Sequence, residues 1–317
     1  MSHASRREPD RIRTPFSHEL GGSGGEEARR EGAEAVQFEA QGSTSEAPRA
    51  EPWITAVVST YRAERFLRGC LADLEAQTVA DRLEIVVVDS GSPENEHAIV
   101  REFQARYANV VYLRTEQRET VYGAWNRAIR VARGRYLTNA NTDDRHRTDA
   151  LERLARALDA HPEAAVAYGD CAITRTENAT LADAPITGYF RWPEFDRMKL
   201  FRTCYLGSQP LWRRALHERF GDFDPTLVSA GDYEFWLRIA RAEIFVHVPE
   251  VLGLYLESPG SIEHRHREQA SEEARRVRDR HWAPHRGICP WGNGSYLARQ
   301  FSRWLNASWI EKLLGQA

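Results

Sequence analysis

From Trp53 onward, short apolar runs alternate with amphipathic stretches, and each pair reads as a strand followed by a helix. The run Ile54-Thr55-Ala56-Val57-Val58 is short and rich in β-branched residues, as expected of a strand buried on both faces of a parallel sheet. After Ser59-Thr60-Tyr61, the residues Phe66, Leu67, Cys70, Leu71 and Leu74 fall at helical spacing. A second strand over 83–88 closes on Asp89-Ser90-Gly91-Ser92. The alternation continues with helices over 98–107, 124–132 and 148–160 and strands over 110–113, 135–139 and 164–168. This predicts an α/β domain with a mostly parallel, Rossmann-like sheet flanked by helices, with ligands at the carboxyl ends of its strands.

Between 176 and 206 the pattern weakens into a loop-rich region containing Gly188-Tyr189-Phe190-Arg191-Trp192-Pro193. Its aromatics can join the core or stack on a sugar or base. A short helix to Phe220 and the turn Gly221-Asp222-Phe223-Asp224 lead into Ala230-Gly231-Asp232-Tyr233-Glu234-Phe235-Trp236-Leu237-Arg238, a buried helix with Asp232 in its first turn. Two further strands are predicted over 244–248 and 251–256, then a highly charged helix over 262–282. His264 and His266, near the start of that helix, either face solvent or complete a metal shell. Beyond 283, Leu297, Phe301, Trp304, Leu305, Ile310, Leu313 and Leu314 form an apolar stripe. It is expected to dock on the protein's own body or a second subunit, or to rest peripherally on a membrane. Residues 1–52, with GGSGGEE at 21–27, hold too few large apolar side chains to offset their ordering entropy and read as a disordered tail. The chain thus divides into a tail over 1–52, an α/β domain over 53–257 and a C-terminal helical extension over 258–317.

Composition narrows the chemistry mainly by exclusion. Of 317 residues, 42% are apolar, and the net charge of -3 exerts no pull toward nucleic acid or anionic membranes. Cys70, Cys171, Cys204 and Cys289 show neither CxxC spacing nor disulfide density, which suits reduced thiols in a cytoplasm. No transmembrane run and no signal-peptide core are found, so a soluble, unexported chain is expected. Neither GxGxxG after the first strand nor GxxxxGK[ST] anywhere supports a dinucleotide site or a P-loop. The stretch from Gly134 to Arg147 is richer. Its strand passes into Asn141-Thr142-Asp143-Asp144, oxygen donors suited to Mg²⁺ or Mn²⁺ on a diphosphate. The same residues also suit an Asx-rich turn before the helix near Thr148. Asp232 is either a helix cap, worth about 1 kcal/mol, or a second acidic centre arriving from far along the chain.

Five segments in order resemble glycosyltransferase family 2: 57–78, 84–94, 123–137, Asn141 to Asp144, and 220–240. The resemblance covers roughly 53–257 and implies a GT-A catalytic domain that is an inverting glycosyltransferase. It implies that Thr60, Glu64 and Asp89 surround the nucleotide of a sugar donor, a UDP-sugar foremost, and that Asn126 shapes that site with Asn141. By the same resemblance Asp143 and Asp144 hold Mg²⁺ or Mn²⁺, and Asp232 is the catalytic base. The acceptor would be a carbohydrate, a lipid-linked group or another hydroxyl. Two positions depart from the family pattern. Asn141 stands where Asp is frequent, and Gly231 where Glu often precedes the base, so Asp232 must be oriented from elsewhere. A non-catalytic nucleotide-sugar-binding relative and a sugar nucleotidyltransferase are the rival readings.

Overall fold

The structure, a computed structural model, describes residues 37–38, 51–258 and 267–282. Expectations for the remainder of the tail, for His264 and His266, and for 283–317 lie outside the described residues. The first half of the domain follows the alternation read from sequence. Strand β1 (Gln37–Phe38) lies within the stretch that sequence reads as a disordered tail and corrects that reading at these residues, while β2 (Ile54–Thr60), β3 (Leu83–Asp89), β4 (Val110–Arg114) and β5 (Tyr136–Asn139) are joined by helices α1 (Glu64–Glu75), α2 (Glu96–Gln104) and α3 (Val121–Val131). β4, β3, β2 and β5 lie side by side and parallel, while β1 pairs antiparallel with β4.

Beyond β5 the sheet becomes mixed. The chain forms β6 (Arg145–His146), α4 (Ala150–Ala160), β7 (Ala164–Thr174), β8 (Ile186–Phe190), α5 (Arg197–Leu200), β9 (Leu211–Arg213), α6 (Leu216–Phe220), α7 (Gly231–Ile239), β10 (Ile244–Leu256) and α8 (Arg267–Trp282). β9 inserts antiparallel between β5 and β7, and β10 runs parallel to β7 on its other side. The two strands expected over 244–256 are one. Its register against β7 shifts between Val248 and Val251, around Pro249, which has no N–H to give a ladder and so reads as a break. β8 lies inside the region read as loops, pairing antiparallel with β7.

Strand alternation divides the core into two layers. Ile54, Ala56, Val58, Ile85 and Val87 face α1, α2 and α4, while Val57, Val86 and Val88 face α3 and α7. Each of these side chains is essentially inaccessible, and burying one of the valines or isoleucines contributes about 1.5–3 kcal/mol. At one point the two layers demand a glycine. A Cβ on Gly134 would lie 2.4 Å from the Thr55 backbone nitrogen, and the Gly134 N–H donates to Thr55 Oγ1 at 2.9 Å. No described helix is long and apolar enough to cross a membrane.

Candidate active site

The parallel strands end in a cavity of about 1700 Å³. Thr60 and Glu64 line it from β2 and α1, Asn141, Asp143 and Asp144 from the loop after β5, and Asp232 from the first turn of α7. Six of the eight residues singled out from sequence are therefore brought together. Thr60 Oγ1 is buried and has no hydrogen-bond partner, a polar atom that a ligand would satisfy. Glu64 Oε2 accepts the Asn95 N–H at 3.1 Å, and the Glu64 N–H donates to Glu94 Oε2 at 3.2 Å, so α1 and α2 brace each other at the rim.

Asp89 and Asn126 do not reach the cavity surface. Asp89 is fully buried at the end of β3. Its Oδ1 accepts the Ser92 N–H at 2.8 Å, and its Oδ2 accepts the Tyr112 hydroxyl at 2.6 Å and the Arg114 guanidinium. It shapes the loop from behind. Asn126 of α3 makes two hydrogen bonds to the Phe223 backbone, at 2.8 and 3.0 Å, and ties that helix to the segment before α7.

The acidic loop is held from within. Asp144, 2% exposed, accepts the Leu256 N–H of β10 at 3.1 Å and the Asn141 amide at 3.1 Å. Burial, with the neighbouring charge of Asp143 adding to it, pushes the Asp144 carboxyl up to about 7. Burial also raises Asp143, which is half-exposed to the cavity. Behind them the buried Arg145 guanidinium donates to the carbonyls of Thr142 at 2.9 Å and Asp144 at 2.7 Å, and to Asn178 Oδ1 at 2.7 Å. One buried and one partly buried carboxylate are thus neighbours, an arrangement that could hold a cation.

Around Asp232 the structure supplies what sequence reasoning lacked. The Tyr122 hydroxyl, on buried α3, donates to Asp232 Oδ1 at 3.0 Å. Burial, and next the Asp232 charge, raise the Tyr122 pKa well above that of an ordinary phenol, so it remains a donor. A Cβ on Gly231 would lie 2.5 Å from the Tyr122 ring, which explains why no carboxylate precedes Asp232. A second missed residue is Glu273 on α8. Its carboxylate, 4% exposed, accepts the backbone N–H groups of Val228 at 3.0 Å, Ser229 at 2.7 Å and Ala230 at 2.8 Å. Burial opposes its charge, but those backbone donors outweigh burial and hold the carboxyl below its ordinary range. His281, further along α8, meets Glu234 of α7 at 2.9 Å.

A protein-family model described as Glycosyl transferase family 2 matches residues 55–207, the span that contains the strand ends and the acidic loop. Residues 55–207 form a glycosyltransferase family 2 domain. Among curated relatives of the chain, an uncharacterized protein y4gI of Sinorhizobium fredii is 29% identical over 239 residues, covering 73% of this chain and 26% of its own length. Chondroitin synthase of Escherichia coli is 23% identical over 200 residues, 63% of this chain and 28% of its own. A PGL/p-HBAD biosynthesis glycosyltransferase of Mycobacterium tuberculosis is 27% identical over 193 residues, 60% of this chain and 70% of its own. The chain thus spans roughly a quarter of the length of the first two. Among solved structures, S. aureus TarS 1–349 in complex with UDP-GlcNAc superposes with a TM-score of 0.58 at 20% identity, covering 71% of this chain and 65% of that one. Mannosyltransferase PcManGT of Pyrobaculum calidifontis, in complex with GDP-Man and Mn²⁺, gives 0.53 at 17% identity, covering 86% and 83%. These structures share the GT-A-type fold: a central sheet flanked by helices.

Proposed function

We propose that this family-2 chain transfers a sugar from a nucleoside diphosphate sugar to an acceptor hydroxyl, with inversion at the anomeric carbon. The observation that carries this reading is the meeting of Asp143 and Asp232, from separate halves of the chain, on one cavity with Thr60. The ligands named for TarS and PcManGT, UDP-GlcNAc and GDP-Man, support such a donor, and we place a UDP-sugar first. Thr60 and Glu64 would contact its nucleoside end, with Asp89 and Asn126 setting the backbone behind them.

Among the described residues no cluster of three or more His, Cys, Asp or Glu forms a self-sufficient metal cage. That fits an ion held by one or two carboxylates and by the donor's phosphates. Asp143 and Asp144, with Asn141 beside them, would hold Mg²⁺ or Mn²⁺, which when bound supplies Lewis-acid stabilisation of the departing diphosphate. Asp232 takes the proton of the acceptor hydroxyl as that oxygen attacks the anomeric carbon and the bond to the diphosphate breaks. Tyr122 holds Oδ1 of Asp232 during that transfer.

A thermal-shift screen against UDP, GDP, TDP, ADP and CMP, with and without Mn²⁺, tests the donor site. A nucleotide at a hundredfold excess over its dissociation constant stabilises by about 2.7 kcal/mol. Asp143→Ala is expected to abolish the metal-dependent part. Asp232→Asn is expected to keep the shift and lose about 10²- to 10⁴-fold in turnover. A screen with no shift, or an Asp232→Asn variant of near-normal rate, would refute the assignment.

A further inference from the structure

The reaction described above leaves one wall of the cavity unused. Phe190, at the end of β8, lies nearly parallel to Trp192, with ring centroids 5.0 Å apart and planes at 13°. Its edge meets Tyr255 of β10 at 5.6 Å and 66°. All three rings line the cavity that contains Asp143 and Asp232, and all three are only half-buried.

This wall is fixed in place by groups with no other evident task. Asp170 of β7, 5% exposed, accepts the Trp192 backbone N–H at 3.0 Å and the Arg191 guanidinium at 2.9 Å. His247 of β10 meets the same carboxylate at 2.9 Å. The Tyr168 hydroxyl donates to the Pro193 carbonyl at 2.7 Å. Gly207, at φ +75°, lets the indole close on the backbone, since a Cβ there would sit 2.9 Å from Trp192 Nε1. A surface held this way loses little freedom when a ligand covers it.

Position and chemistry select the occupant. Across the sheet, β2 carries Thr60, β5 leads into the carboxylates, and β7 and β10 flank the aromatic wall. A donor with its nucleoside at the first place and its diphosphate at the second directs its anomeric carbon toward the third. Asp143, Asp232, Ser208 and Ser258 share that space, which would penalise a hydrocarbon chain but suits a ligand rich in hydroxyls. A pyranose satisfies both demands, laying its C–H face on the rings and its hydroxyls among the polar groups. We propose that Phe190, Trp192 and Tyr255 form the subsite for a sugar ring of the acceptor, so that the acceptor is a saccharide. The proposal rests on the donor assignment made above.

Saturation-transfer NMR on the full chain with UDP and Mn²⁺ tests it, using the methyl glycosides of glucose, galactose, mannose and N-acetylglucosamine as probes. Saturation is expected on the ring C–H protons of at least one glycoside. Trp192→Ala should weaken that binding about tenfold, as the loss of one stacked ring implies. Asp170→Asn, which keeps the rings but loosens their loop, should weaken it less. The UDP-induced thermal shift, measured on the same samples, should be unchanged in both variants and shows that they are folded. A normal UDP shift with no glycoside signal, or a signal that Trp192→Ala and Phe190→Ala leave intact, overturns the subsite while sparing the donor assignment. A wild-type chain that takes up no nucleoside diphosphate overturns both.

Discussion

A Cβ on Gly231 would strike the ring whose hydroxyl holds Asp232, so these two positions act as one. Gly231→Ala is expected to cost about 1–3 kcal/mol by overpacking, and much less in a Tyr122→Ala background where the ring is gone. Urea denaturation of the four proteins in this cycle checks it, and purely additive losses would refute the coupling. Tyr122→Phe should lower kcat about tenfold through the lost hydrogen bond, with nucleotide affinity unchanged. Sequence displayed Gly231 as a departure but could not name its partner, because no local periodicity links Tyr122 to Asp232, 110 positions away. Thr60, Asp143 and Asp232, which meet on one cavity, were singled out through the family resemblance, because local pattern alone left Asp143 open as an Asx turn and Asp232 as a helix cap. Asp89 stands at a strand end, yet the neighbouring strand supplies Tyr112 and Arg114 to absorb it. A different carboxylate, Glu75 of α1, sets a pH dependence. Its Oε1 is buried without a partner, and burial raises it to about 7. Because the folded value lies above the unfolded one, the contribution of Glu75 to stability is fully present below about pH 4.5 and is lost as the pH rises through 7. Glu75→Gln should therefore stabilise by about 1 kcal/mol at pH 8, allowing for solvent screening of a half-exposed group, and by little at pH 4. Equal gains at both values would exclude this origin.

Helix α8 reads in sequence as a highly charged helix, yet it buries Val277, Glu273 and His281 against the rest of the domain. Three buried positions among many charges give only a weak apolar stripe, and a glutamate that caps another element's backbone cannot be told from one that faces water. The capped segment, Val228 to Ala230, leads directly into Asp232. Glu273→Gln should cost about 2–3 kcal/mol at neutral pH and lower kcat more than it raises the donor KM. Since the folded carboxyl titrates below its unfolded value of 4.5, its contribution is present above that pH and lost as the pH falls through the folded value. Melting curves of wild type and variant should accordingly converge in acid. β10 shows the opposite difficulty, a single strand whose proline makes it look like two.

Across the whole molecule, the parallel half of the sheet was readable because each βαβ unit closes locally, whereas the mixed half depends on pairings between distant segments. β7 and β10 are the chief example, lying parallel although β8, β9, α5, α6 and α7 come between them. Closing so long a loop costs entropy before any contact repays it, so this pairing is expected to form late in folding. Asp144, at the floor of the acidic loop, takes its backbone donor from Leu256, at the far end of that late strand and 112 positions away. On the ribosome, the parallel half of the sheet can form while β10 is still being synthesised, but the acidic loop has no floor until residue 256 has cleared the exit tunnel. A stalled nascent chain ending before β10 should therefore fail to retain UDP with Mn²⁺, and one extended well past Leu256 should retain it.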